Sequence, residues 1–223
     1  MTVNGIIFDV DGTLVDSLSF WEYYWQKLGD VFFGGKKFIP DEDTEKMMRT
    51  SSIVDGVARF YEIYKLGESA DALIELTDSI YRNFYINEVV FKPGAAEFVK
   101  YCHSIGIKMC IASGSTEDVI REFLKKNNME QYFSEVFTCA VLGKSKTFPD
   151  IYNTALEHLE TPKDKTWVFE DSIIAVETAV NAGFPTVGIY DSHNFELDRV
   201  KALSTLFIDK DETLMSLKDK IIL

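Results

Sequence analysis

Gly5-Ile6-Ile7-Phe8-Asp9-Val10-Asp11-Gly12-Thr13-Leu14-Val15-Asp16-Ser17 is the stretch whose reading decides the fold. Its opening run is apolar without alternation, the pattern of a strand buried on both faces of a parallel sheet. Two carboxylates one residue apart then stand at the carboxyl end of that strand, where open α/β sheets hold their ligands. Gly12 permits a sharp exit from the strand. Alternate strand residues point the same way, so Asp9 and Asp11 share a side if the strand continues. Like charges this close favour a divalent cation, or one raised pKa, over two free carboxylates. The pair supports a division of labour, one aspartate as nucleophile and metal ligand and the other as acid and base. A capped loop or a structural cation is the plainer account of a lone D-x-D pair, so the rest of the chain has to decide.

Beyond Asp16 the hydrophobic period changes from strand to helix. Trp21, Tyr24, Trp25 and Leu28 fall on one helical face. Gly34-Gly35 and Pro40 mark a loop. Ile53, Val57, Phe60, Tyr61 and Tyr64 make a second stripe, and Leu73, Leu76, Ile80 and Phe84 a third. Residues 17–91 thus read as an all-helical insert whose aromatic stripes form its own core. From residue 94 strands and helices alternate. Strands are predicted at 108–112, 135–138, 166–169, 186–189 and 206–208. Helices are predicted around 95–105, 116–127, 149–159, 173–182 and 196–204. This alternation predicts an α/β fold, a Rossmann-like, doubly wound parallel sheet. The catalytic core is expected to be discontinuous, residues 1–16 plus 92–223.

Composition narrows the class. The chain has 223 residues, 46% of them hydrophobic, and a formal net charge of −13. That charge disfavours nucleic acid and anionic membranes as partners. It does not forbid an anionic substrate, because a local cation overrides the global field. Cys102, Cys110 and Cys139 lack metal-site spacing and read as buried apolar residues suited to a reducing compartment. No apolar run reaches the roughly 18 residues of a membrane span, and the N-terminus lacks a secretory pattern. A cytoplasmic location and a monomer or weak homodimer are the resulting expectations.

Three further segments carry candidate chemistry. Ser113 ends a predicted strand and is followed by Gly114, Ser115 and Thr116; Ser115-x-x-Asp118 has the form of a helix N-terminal box. Exposed amides at a helix start attract anions, and the Ser113 hydroxyl suits a phosphate oxygen; a simple cap is the alternative. Lys146 precedes Pro149-Asp150 and offers an ammonium suited to a bound anion, or merely a solvated charge, with Lys144 as its competitor. Glu170 and Asp171 follow a strand and precede a helix, as an oxygen-lined Mg²⁺ site or as acids favoured by the helix dipole.

The segment D-x-D-G-T-L-x-D-S at Asp9–Ser17 resembles the signature of the haloacid dehalogenase-like phosphotransferases. Ile111-Ala112-Ser113-Gly114-Ser115, Lys146-Thr147-Phe148-Pro149-Asp150 and Phe169-Glu170-Asp171-Ser172 are similar to that family's second, third and fourth motifs, in order. The branch resembled most is that of the β-phosphoglucomutase-like phosphatases, with a helical cap. The resemblance implies Asp9 as nucleophile, Asp11 as acid and base, and Ser113 and Lys146 as stabilisers of the transferring group. It implies phosphate contacts from Gly12, Thr13 and Gly114; Arg49, Lys36 and Lys37 are candidates for a second anionic group, with a solvated surface charge as the plainer account of the lysines. Mg²⁺ is implied on Asp9, the Asp11 carbonyl, Asp171 and Glu170, the last directly or through water. The implied reaction is hydrolysis of a small phosphorylated metabolite, with phosphomutase as the alternative. Trp21 stands where the mutases carry histidine, and Arg49-Thr50-Ser51-Ser52 displaces the arginine of their cap loop. Both departures favour hydrolysis, or a differently shaped substrate.

Overall fold

The computed structural model describes residues 2–194 and 196–221. Met1, Phe195, Ile222 and Leu223, which belong to the core assigned from sequence, lie outside the described residues. The chain divides into two compact units, Met1–Leu18 with Val89–Leu223, and Ser19–Glu88.

The first unit is built on β1 (Gly5–Phe8), which is buried along its whole length. After the insert come α5 (Ala95–Ser104), β2 (Lys108–Ser113), α6 (Glu117–Lys126) and β3 (Val136–Thr138). A short α7 (Cys139–Leu142) leads to α8 (Asp150–Leu159), β4 (Thr166–Glu170), α9 (Ile173–Asn181), β5 (Thr186–Ile189), α10 (Leu197–Leu203) and β6 (Leu206–Ile208). The strands form one sheet in the order β3-β2-β1-β4-β5-β6, and every neighbouring pair is parallel. The chain leaves β1 toward β2 on one side and returns to β4 on the other. The switch in direction thus falls at β1 and β4, where a crevice opens beyond the strand ends. Observed strand and helix ends lie within about one residue of those read from the sequence, inside the usual disagreement at termini.

Alternation along β1 divides the core. Ile7 is in register with Cys110 and Val168, and these pack with Ile151, Tyr152 and Ala155 of α8. Phe8 is in register with Ile111 and Phe169. Its ring meets Phe169 at 4.8 Å, Phe133 at 6.1 Å and Phe98 of α5 at 6.4 Å. A strand apolar on both faces therefore has a helix partner on each, as a parallel sheet requires.

The second unit holds α1 (Phe20–Phe32), α2 (Glu42–Thr50), α3 (Ile53–Tyr64) and α4 (Ala70–Asn87). Tyr24, Trp25, Leu28, Val57, Phe60, Leu73, Ile80 and Phe84 are buried, while Trp21, Ile53, Tyr61, Tyr64 and Leu76 are only partly so. The stripes thus form the core of this unit. The sequence reading assigns no helix to α2. Its sequence EDTEKMMRT is mostly polar, and Met48 and Thr44 are the buried side chains identified in it. Asp41 starts it, accepting from Thr44 N at 2.9 Å.

Cys102 and Cys110 are buried free thiols, and burial pushes the Cys102 thiol up to about 12. Cys139 corrects the expectation: it starts the short α7 and is only half-buried, packed at the margin of the core that holds Ile7, Cys110 and α8. Among the described residues no helix is long and apolar enough to cross a membrane.

Candidate active site

The site begins where β1 stops. Phe8 is the last strand residue, and Asp9 N still donates to Phe169 O at 2.9 Å. The chain then turns: Leu14 N and Val15 N both donate to Val10 O, and Gly12 takes a φ of +78°. Asp9 and Asp11 therefore do not lie on a continuing strand, and the expectation drawn from strand alternation does not apply. The turn sends the two carboxylates to different partners. A side chain at Gly12 is excluded twice, by the positive φ and by Asp171, whose Oδ2 would lie 2.3 Å from an added Cβ.

Asp9 is 6% exposed, Glu170 1% and Asp171 3%. One carboxylate oxygen from each lies within 4.8 Å of the others. Lys146 Nζ bridges Asp9 and Glu170 with short contacts to both. Glu170 also accepts from the Tyr152 hydroxyl at 3.1 Å and from Asp171 N at 3.1 Å. Thr13 Oγ1 donates to Asp171 Oδ1 at 3.2 Å. Asn194 Nδ2 donates to the Asp171 carbonyl at 3.0 Å and, more closely, to its Oδ2.

The electrostatics follow from counting charges. Three buried carboxylates face one ammonium, so the cluster keeps an excess of negative charge. Burial raises Asp9 well above the ordinary carboxylate range, opposed by Lys146 and reinforced by the acidic neighbours. Burial, with the Glu170 charge, pushes Asp171 up to about 7. Burial alone would lower Lys146, but Asp9 and Glu170 outweigh it and hold the ammonium protonated. A buried all-oxygen donor set with unbalanced negative charge suits a hard divalent cation such as Mg²⁺.

Asp11 stands apart, half-buried, accepting from Ser17 Oγ and Ser115 Oγ at 2.7 Å each. Ser113 ends β2 fully buried, and its hydroxyl accepts from Ser115 N at 3.0 Å. Gly114 is exposed, with open space where a side chain would be. The N-cap of α6 is Thr116 rather than Ser115, which corrects the proposed helix box. The turn after β2 diverts the Ser115 hydroxyl to Asp11 instead. Lys144, the competitor, pairs with Asp150. Arg49 lies on α2 in the other unit, where its Nη2 meets Glu45 at 2.7 Å. Ser17, Ser115, Tyr152 and Asn194 enter this network without having been singled out as site residues. Ser17 and Ser115 lie inside the quoted motifs, whereas Tyr152 and Asn194 carry no local signal.

Known proteins are similar to this chain in sequence and in fold. A phosphorylated carbohydrates phosphatase from Thermotoga maritima is 24% identical over 218 residues, covering 97% of this chain and 99% of its own. A mitochondrial (DL)-glycerol-3-phosphatase from Arabidopsis thaliana is 26% identical over 203 residues, covering 86% of this chain and 65% of its own. The crystal structure of a Thermotoga maritima protein provisionally described as a beta-phosphoglucomutase superposes with a TM-score of 0.81 at 25% identity. It covers 97% of this chain and 99% of that one. The family model for haloacid dehalogenase-like hydrolases matches residues 6–189, from inside β1 to the end of β5. With its four motifs gathered at one end of one sheet, the chain belongs to the haloacid dehalogenase-like hydrolases.

Proposed function

We propose that this phosphoric monoester hydrolase removes phosphate from a small phosphorylated metabolite of the sugar-phosphate type, by way of an aspartyl-phosphate on Asp9. The observation that carries the reading is the position of Asp9: it belongs to the buried acidic cluster and is paired with Lys146 at the switch point of the sheet. Mg²⁺ would be held by Asp9, the Asp11 carbonyl, Asp171 and Glu170, the last directly or through a water. When bound, it supplies Lewis-acid neutralisation of carboxylate and phosphate charge.

The side chains divide the remaining work. Asp9 attacks phosphorus, forming its own O–P bond as the ester oxygen leaves. Asp11 gives that oxygen a proton, then takes one from the water that attacks the aspartyl-phosphate. The second step restores Asp9 and releases inorganic phosphate. Lys146 fixes the attacking carboxylate and offsets charge on the transferring group. Ser113, Gly12, Thr13 and Gly114 supply hydroxyl and backbone donors to phosphate oxygens. Trp21 offers no imidazole for a mutase proton transfer, which favours hydrolysis.

The test is ³¹P NMR of a pooled panel of sugar and polyol phosphates with the protein and Mg²⁺, using Asp9→Asn as control. Inorganic phosphate growing only with intact Asp9 is the expected result, and the shrinking resonance names the substrate. Phosphate that moves between ester positions without release would make the protein a mutase.

A further inference from the structure

The loop after β5 belongs to none of the four motifs, yet it supplies the closest side-chain contact of Asp171. Asn194 Nδ2 touches the Asp171 carbonyl at 3.0 Å and contacts its Oδ2 more closely. Thr13 Oγ1 holds the other carboxylate oxygen at 3.2 Å, and Gly12 leaves the space into which the group fits. Both oxygens of Asp171 are thereby oriented, and its backbone is tied to the same amide. Both Asn194 partners are acceptors, so its NH₂ must face them; a carboxylate or an apolar side chain of similar size cannot substitute.

The loop that presents Asn194 is itself anchored. Asp191 is 4% exposed and pairs with Lys92 Nζ at 2.8 Å. Lys92 Nζ also donates to Tyr190 O at 2.8 Å. Asp191 Oδ1 accepts from His193 N at 2.9 Å, and Asn194 N donates to Asp191 O at 3.2 Å. An ion pair buried on its Asp191 side therefore folds residues 190–194 around Asp191 and aims the Asn194 amide at Asp171.

We infer that Asn194 is a positioning residue that locks the Asp171 carboxylate in its metal-binding orientation, with the Lys92–Asp191 pair holding the loop that carries it. The inference rests on the reading of Asp171 as an Mg²⁺ ligand. Outer partners of metal ligands typically govern affinity by roughly 10–100-fold.

The experiment titrates Mg²⁺ alone into the metal-free full chain by calorimetry at pH 8, with melting temperature and circular dichroism of the metal-free proteins alongside. Asn194→Ala is expected to weaken Mg²⁺ binding by about tenfold or more while leaving the metal-free fold intact. Asn194→Asp, equal in size but turning acceptor toward acceptor, is expected to weaken it further. Asp171→Asn tests the underlying reading and is expected to abolish binding. If both Asn194 variants bind Mg²⁺ like the unaltered protein while Asp171→Asn does not, the positioning role is wrong and the metal site stands. Tighter binding by Asn194→Asp would likewise overturn it. Unchanged binding by Asp171→Asn would remove the metal-site reading and the inference with it.

Discussion

Asp171 shows how one side chain links stability to chemistry. Its carboxyl titrates at about 7 because burial and the Glu170 charge penalise the ionised form. In the unfolded chain it titrates near its ordinary value of about 4. Between those values the folded state binds the extra proton, so folding stability falls as pH rises from about 4 to about 7. The metal-free protein is therefore expected to lose melting temperature across that range, and Asp171→Asn to flatten the loss. Mg²⁺ added at pH 8 is expected to raise the melting temperature of the unaltered protein and not that of Asp171→Asn. A steeper loss of stability with pH in Asp171→Asn would count against the assignment. The residue scale is also where the sequence was most legible. Asp9, Asp11, Ser113, Lys146, Glu170 and Asp171 stand in short motifs whose spacing is local. Asn194 was not legible, because its partner lies 23 positions away and only the sheet brings them together.

The elements are held by a few tight contacts that suggest their own tests. A Cβ on Gly188 of β5 would lie 2.4 Å from Ser204 Oγ and 2.9 Å from the Phe207 ring. Gly188→Ala is expected to destabilise the protein by roughly 1–3 kcal/mol in urea unfolding, through overpacking. No loss would mean that α10 and β6 shift freely. On α3, Ser52 Oγ accepts from Asp55 N at 3.1 Å and donates to Asp55 Oδ2 at 2.8 Å. Ser52→Ala is expected to cost about 1 kcal/mol, seen as an earlier denaturation midpoint. Element types were legible wherever a stripe or an apolar run existed. The helix α2 was not, since it offers only Met47 and Met48 as apolar residues, too few to draw a stripe, and its start depends on an Asp41 cap.

At the scale of the whole molecule, the core of the first unit doubles as the foundation of the site. Phe8 is fully buried among Phe98, Phe133 and Phe169, and the next residue is Asp9. Phe8→Ala is expected to cost roughly 3–5 kcal/mol in denaturant unfolding, the usual loss when a buried ring is deleted. It is also expected to weaken Mg²⁺ binding, because the strand end that aims Asp9 loses its packing. A variant that loses stability but binds Mg²⁺ unchanged would separate the two roles. The net charge of −13 belongs to this scale as well, yet it says little about the site, where Lys146 and the acidic cluster set the local field.

Sequence alone determined the class of fold, the alternation of strands and helices from β2 to β6 apart from the short α7, and the four motifs, because each rests on patterns a few residues long. Hydrophobic period, turn residues and motif spacing are local properties, and they survive without knowledge of the chain's path. The tertiary structure decided which groups meet. The sheet order 3-2-1-4-5-6 sets the end of β1 beside that of β4 and so gathers Asp9, Glu170 and Asp171 into one buried cluster. The turn at Gly12 parts Asp11 from Asp9 and hands it to Ser17 and Ser115. The loop after β5 brings Asn194 to Asp171. Most of these contacts join residues far apart in the chain, and their energies depend on burial and unbalanced charge, which exist only once the chain has closed around them.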